Sequence, residues 1–76
     1  MVKVVTVYTS NSCSYCKVLK MYLEARGITY KEKNINDNNE YMLELVNRNI
    51  MSVPVIIIDD NVVIGFKKDE IEKLLS

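Results

Sequence analysis

Cys13 and Cys16, separated by Ser14 and Tyr15, are the residues of this chain best suited to covalent chemistry. They are its only cysteines, and it has no histidine. A disulfide across so short a loop is a poor structural staple. Chain entropy gives it about 2 kcal/mol, against about 3 kcal/mol for a fifteen-residue loop. Two sulfurs three positions apart are well placed to close a ring quickly, which suits reversible thiol–disulfide chemistry. The competing use of a Cys-x-x-Cys pair is half of a zinc site. With no histidine and no further cysteine, a mononuclear site within one chain lacks two ligands, and only a four-cysteine site shared by two copies stays open.

The chemistry depends on ionisation. The thiolate is the nucleophile, and at a free-cysteine pKa near 8.5 only about 3% is ionised at pH 7. Cys13 falls where a strand should give way to a helix. The dipole at a helix N-terminus favours an anion by about 0.3–1 kcal/mol, and by up to about 2 kcal/mol when partly buried. At about 1.4 kcal/mol per pKa unit, that lowers the pKa by up to about one unit. A hydrogen bond from the Cys16 thiol and the charge of Lys17 can add to this; a solvated helix lysine is the alternative for Lys17. A fall of about two units would ionise roughly 75% of Cys13, while its intrinsic nucleophilicity would drop about tenfold. The larger benefit is in leaving: an acidic Cys13 is a good leaving group when the partner sulfur of its mixed disulfide is attacked. Cys13 is therefore expected to be exposed and acidic, and Cys16, one turn into the helix, less exposed and resolving.

The flanking elements follow from hydrophobic pattern. Val2, Val4, Val5 and Val7 with Thr6 and Tyr8 predict a buried strand, and Thr9–Ser12 a loop rich in helix-capping residues. Val18, Leu19, Tyr22 and Leu23 recur at helical spacing from about Ser14 to Arg26, with Gly27 as C-terminal cap. A second strand is expected over about Ile28–Ile35. Asp37 with Glu40 marks the start of a second helix, whose apolar face is Met42, Leu45 and Val46 and which ends at Asn47–Asn49. Val55–Ile58 is apolar enough for a central strand. Asp59–Asn61 is a turn, Val62–Ile64 a short strand ending at Gly65, and Lys68–Leu75 a last helix presenting Ile71, Leu74 and Leu75. The order is βαβαββα: a parallel crossover first, an antiparallel hairpin last. Met21, Met42 and Met51 are expected in packing, as are Tyr22, Tyr30 and Tyr41 in part. Phe66 either borders a substrate groove or belongs to the core. The Asn-rich stretch Asn34–Asn39 is a loop and cap region.

At 76 residues the chain makes one domain, residues 1–76. It is 49% hydrophobic, which supports a packed core and argues against disorder. Ten basic and ten acidic residues cancel, which disfavours nucleic acid as a partner. No apolar run reaches the roughly 18 residues of a membrane span, and Met1–Tyr8 lacks the apolar centre of a signal peptide. The cytoplasm, where thiols are kept reduced, is the expected compartment.

Several segments together resemble a glutaredoxin-like member of the thioredoxin-fold superfamily. They are Tyr8-Thr9, then Cys13-Ser14-Tyr15-Cys16, then Ser52-Val53-Pro54-Val55, and Gly65-Phe66 before the last helix. Their order and spacing cover essentially the whole chain, and the Gly-Phe ending is similar to that of the small bacterial redoxins, including those that serve ribonucleotide reductase. The resemblance implies an α/β thioredoxin-like fold with a four-stranded mixed sheet flanked by three helices. It implies a dithiol–disulfide oxidoreductase with Cys13 and Cys16 catalytic. It also implies a cis Pro54 beside the cysteines, with the Val53 backbone pairing with the bound thiol substrate like an added strand and Tyr15 shaping the thiol surface; a strand-start proline is the plainer reading of Pro54. The implied partners are a disulfide-containing protein and an electron donor, either glutathione or a thioredoxin-type reductase. The protein is expected as a monomer with no resident cofactor. Relatives with serine at the second motif position, here Ser14, suggest the alternative of a glutathione-dependent [2Fe–2S] dimer. Ser10 stands where many glutaredoxins carry a basic residue for glutathione, and Ile64–Asp69 replaces the Gly-Gly-x-Asp-Asp type segment that grips its γ-glutamyl end.

Overall fold

The computed structural model of the chain describes residues 3–75. Its elements are β1 (Val5–Thr9), α1 (Ser14–Ala25), β2 (Lys31–Asn34), α2 (Asn39–Asn47), β3 (Val55–Ile58), β4 (Asn61–Ile64) and α3 (Lys68–Leu75). The expected βαβαββα order is therefore present. Val2, included in the expected first strand, lies outside the described residues.

The sheet order is β2-β1-β3-β4. β1 pairs parallel with β2 and antiparallel with β3, and β3 pairs antiparallel with β4. β3 thus has a neighbour on each side, and Val55, Ile56, Ile57 and Ile58 are all buried. Alternation sends them to two cores. Ile56 and Ile58 join Val5, Val7, Leu19, Leu23, Val63 and Ile71, so α1 and α3 cover one face. Val55 and Ile57 join Tyr8, Leu45 and Ile50, so α2 covers the other. The continuous apolar run of β3 is the signature of a strand buried on both faces. Among the described residues no helix is long and apolar enough to cross a membrane.

The helix ends explain where β2 begins. Gly27 takes φ +68°, and the Ile28 N–H donates to the Leu23 carbonyl at 2.9 Å. This left-handed cap uses residues up to Ile28 to close α1, so the second strand is shorter than the expected Ile28–Ile35. Asn49 repeats the device after α2, with φ +61° and an Ile50 N–H donated to the Leu45 carbonyl. The start of α2 also differs from expectation. Asn38, not Asp37, is the N-cap, its side chain accepting from the Glu40 N–H at 3.0 Å. The Asp37 N–H instead closes a turn on the Asn34 carbonyl.

The helical faces are narrower than the apolar pattern suggests. Only Cys16, Leu19 and Leu23 of α1 are buried, whereas Val18 and Met21 are exposed. On α2 only Leu45 is buried, while Met42 and Val46 are exposed; Met51 is 85% exposed in the following loop. Met21, Met42 and Met51 therefore do not fill the core. A single helix laid on a sheet buries one stripe, and residues beside that stripe stay at its margin. Phe66 does pack against the α1/α3 core, meeting the Tyr22 ring edge-on at 5.7 Å.

Tyr8 and Tyr30 have polar partners that make stability pH-dependent. Burial pushes Tyr30 up to about 12, helped by its hydrogen bond to Glu24. Burial also raises Tyr8, whose hydroxyl donates to Glu44 at 2.6 Å. Lys33 is raised by its own 2.9 Å bond to Glu44, and Glu44 is lowered by the bonds from Tyr8 and Lys33. Groups raised on folding stabilise fully below their unfolded values, and that contribution is lost as pH rises through the folded ones. Glu44 has the opposite sign and loses its contribution as pH falls below the usual carboxylate range. The urea midpoint is expected to hold steady from about pH 6 to 9 and to fall at pH 3 and at pH 11. Tyr30→Phe should lessen the alkaline fall; an unchanged alkaline limb in that variant would remove Tyr30 from the account.

Candidate functional site

β1 delivers the chain to the site. Thr9, its last residue, is buried, and its hydroxyl donates to Glu32 of β2 at 2.7 Å, which Lys20 of α1 also reaches at 3.0 Å. The donated Thr9 bond is the leading reason Glu32 titrates below the usual carboxylate range. The half-buried Ser10 then leads into an exposed turn at Asn11 and Ser12 that ends at Cys13.

Cys13 is the N-cap of α1. Its backbone is extended (φ −103°, ψ 111°), and its Sγ accepts from the Cys16 backbone N–H at 3.1 Å. This is the position usually filled by serine, threonine, asparagine or aspartate, whose side-chain oxygen satisfies an otherwise unpaired amide. Here sulfur does the capping. An anion on Cys13 Sγ would face a backbone donor and the positive end of α1. The first turn of α1 holds no acidic residue to oppose it.

Cys13 and Cys16 are joined as a disulfide with Cα atoms 5.3 Å apart, within the usual range. Their environments differ. Cys13 is half-buried, whereas Cys16 is 1% exposed and belongs to the sheet-facing stripe of α1. An outside sulfur can reach Cys13; Cys16 is reached from Cys13. Cys13 opens onto a surface depression of about 440 Å³ that it shares with Asn11, Ser12, Ser14, Lys17 and Val18. Lys17 is exposed there. Tyr15, two residues past Cys13, is 66% exposed.

The Val53–Pro54 peptide bond is cis. Tyr8 pairs with Val55 across β1 and β3, so Pro54, the residue before Val55, lies at the sheet end from which the cysteine loop departs. Pro54 is buried, and its carbonyl accepts from the Gly65 N–H at 2.7 Å. Val53 is half-buried on the rim of an apolar groove of about 160 Å³ with Ile35, Met42, Val46 and Met51. Met42, Val46 and Met51, exposed residues that the sequence assigns to packing, therefore line a groove continuous with Val53.

Two features had no local signal. Tyr8, Lys33 and Glu44 tie β1, β2 and α2 together, with Lys33 Nζ 5.4 Å from the Tyr8 ring centre and 5.6 Å from that of Tyr41. Asn11, Asn34 and Asn36 link the cysteine loop to the loop after β2. Both join residues more than ten positions apart, which periodicity does not detect.

The donor set also bears on the iron–sulfur alternative. A [2Fe–2S] cluster takes four ligands, commonly thiolates. One chain presents a single accessible cysteine, Cys13, and among the described residues no group of three or more cysteine or carboxylate side chains is placed to hold a metal. The residues of one chain do not fit a cluster; a second copy and two further thiols would have to complete it.

A family model described as glutaredoxin matches residues 5–63. A glutaredoxin-like 8.6 kDa protein in the rubredoxin operon of Clostridium pasteurianum is 36% identical over 73 residues, covering 95% of this chain and 97% of that protein. The glutaredoxin-like protein NrdH of Lactococcus lactis subsp. cremoris is 36% identical over 70 residues, covering 92% and 97%. Among solved structures, the NrdH-redoxin of Escherichia coli, described as glutaredoxin-like with a thioredoxin-like activity profile, superposes with a TM-score of 0.85 at 31% identity, covering 92% of each chain.

Proposed function

Because this chain belongs to the glutaredoxin family of thiol–disulfide oxidoreductases, we propose that it is a dithiol electron carrier that reduces disulfides in protein substrates and is itself re-reduced by a thioredoxin-type reductase. The observation that carries the reading is the unequal setting of the two sulfurs: Cys13 is accessible and caps the helix on the Cys16 N–H, while Cys16 is buried directly behind it.

In the reduced protein the Cys13 thiolate attacks one sulfur of the substrate disulfide. A Cys13–substrate disulfide forms, and the other substrate sulfur leaves as thiolate and takes up a proton. Cys16 then loses its proton and attacks Cys13 Sγ, forming the intramolecular disulfide and expelling the second substrate sulfur. Two electrons have passed to the substrate, which ends as a dithiol. The backbone N–H of Cys16 stabilises negative charge on Cys13 Sγ both when it attacks and when a reductant later expels it. The Val53 backbone, at the same end of the sheet as the cysteine loop, is proposed to align the extended substrate segment, with Pro54 fixing that edge and Tyr15 covering one side. Such chemistry belongs in a reducing compartment, the cytoplasm. A monomer is sufficient for it.

Four observations favour a protein substrate and a reductase over glutathione. Ser10 supplies no positive charge, and Lys67 and Asp69 stand in a segment unlike the usual γ-glutamyl grip. The groove beside Val53 is apolar, suited to side chains flanking a substrate cysteine. The E. coli relative is described as having a thioredoxin-like activity profile. The test is reduction of the purified oxidised protein by millimolar glutathione, compared with a thioredoxin-type reductase and NADPH. Reduction by the reductase should be at least about tenfold faster. Equal or faster reduction by glutathione would overturn the choice of donor while leaving the dithiol mechanism intact.

A further inference from the structure

The turn that carries Cys13 is held by three asparagines. The Asn11 N–H donates to Asn36 Oδ1 at 2.7 Å, Asn34 Nδ2 donates to Asn11 Oδ1 at 2.9 Å, and the Asn36 N–H donates to Asn34 Oδ1 at 2.8 Å. The three bonds close a cycle between the β1–α1 loop and the segment that leaves β2. Just before it, the Ile35 N–H donates to the Thr9 carbonyl at 2.9 Å, extending the β1–β2 pairing by one rung. Ile35, between the two clamping asparagines, packs on the α2 core and lines the apolar groove. One tripeptide therefore grips the nucleophile's loop with its outer residues and borders the groove with its middle one.

We propose that Asn11, Asn34 and Asn36 act as a positioning clamp that keeps Cys13 Sγ on the Cys16 N–H and in register with the groove beside Val53. The physical basis is that an N-cap bond forms only while the capping residue keeps its extended backbone. From the helix side Cys13 is fixed by α1; from the other side it is fixed only as well as Ser10–Ser12 are. That turn is largely exposed, so buried apolar contact does little to hold it, and hydrogen bonds to the facing segment must do so. Asparagine suits both ends of such a clamp, since its short amide bonds readily to backbone in turns. The three side chains are neutral and add no charge beside the thiolate, leaving Lys17 as the charged side chain of the Cys13 depression.

The clamp rests on the reading of Cys13 as an activated nucleophile, and the experiment separates the two. Asn11→Ala, Asn36→Ala and the double variant are compared with the parent in fully reduced form. The readout is the midpoint of the pH–rate profile for the first alkylation by iodoacetamide, assigned to Cys13 by mass mapping, alongside urea unfolding. Each single variant should raise the midpoint by about half a pH unit. The double variant should shift it by less than the sum, because both break one cycle. Asn38→Ala, which removes the N-cap of α2, should lower the urea midpoint and leave the alkylation profile in place. Clamp variants whose profiles stay within about 0.2 units of the parent would overturn the proposal even if they unfold earlier. A parent midpoint at or above about 8.5 would instead remove the activated Cys13 itself.

Discussion

Cys13→Ser is expected to lower disulfide-reductase activity by at least about a thousandfold, to background, with the fold intact. The size of the effect comes from chemistry: a serine hydroxyl is almost wholly protonated at neutral pH, whereas the thiolate is the reacting species. The intact fold comes from capping. Cys13 occupies an N-cap position and its Sγ accepts from the Cys16 N–H, a role serine fills as well as any residue. Loss of activity in this variant therefore reports on the sulfur, not on a frayed helix. Cys16→Ser should behave differently. First attack survives, resolution does not, and a covalent adduct between Cys13 and a thiol substrate accumulates. Intact mass before and after reduction reads this directly. Substantial activity in Cys13→Ser, or no adduct in Cys16→Ser with any disulfide substrate, would break the assignment of roles.

Leu19→Ala carries the largest expected effect on stability. Leu19 is fully buried, one turn beyond Cys16, in the core that α1 shares with β1, β3 and α3. Truncating a buried leucine costs about 2–5 kcal/mol, depending on how far the cavity collapses. A chain of this length has about 4–11 kcal/mol in all, so the variant should lose a large share of it. Loosening this packing should also expose Cys16, which a second alkylation at neutral pH would reveal. Val18→Ala is the matched control. Val18 is 43% exposed, and its truncation should change stability by no more than about 0.5 kcal/mol. Equal urea midpoints for the two variants would contradict the burial of the α1 face.

The sequence places both residues on one apolar helical face, and the difference between them shows where pattern stops being informative. Periodicity marks a face about as wide as the apolar residues allow. How much is covered depends on the width of the sheet beneath and on the neighbouring helix. Met42 and Val46 of α2, with Met51 in the loop after it, make the same point: by residue type they look like core, and in space they border a groove. The strand run Val55–Ile58 was fully legible because four consecutive apolar β-branched residues have no comfortable place except a strand buried on both faces. The second strand was legible only in part, because the cap that ends α1 consumes Ile28 and leaves an edge strand with exposed Lys31 and Glu32. The start of α2 turned on Asn38 against Asp37, neighbours of nearly equal capping strength, and the turn closed by the Asp37 N–H decided it.

By itself the sequence determined the cysteine pair and the order of elements around it, and it predicts unequal roles for the two sulfurs, because these follow from local chemistry: two thiols three apart at a strand-to-helix junction. Only the tertiary structure decided what surrounds them. It made Cys13 Sγ the cap on the Cys16 N–H, set Pro54 just before the Val55–Tyr8 pair at the sheet end that the cysteine loop leaves, opened an apolar groove beside Val53, and brought Asn34 and Asn36 to the loop of Asn11. Register, groove and clamp arise between segments distant in the chain, and their geometry is fixed only when the sheet pairs and both its faces are covered.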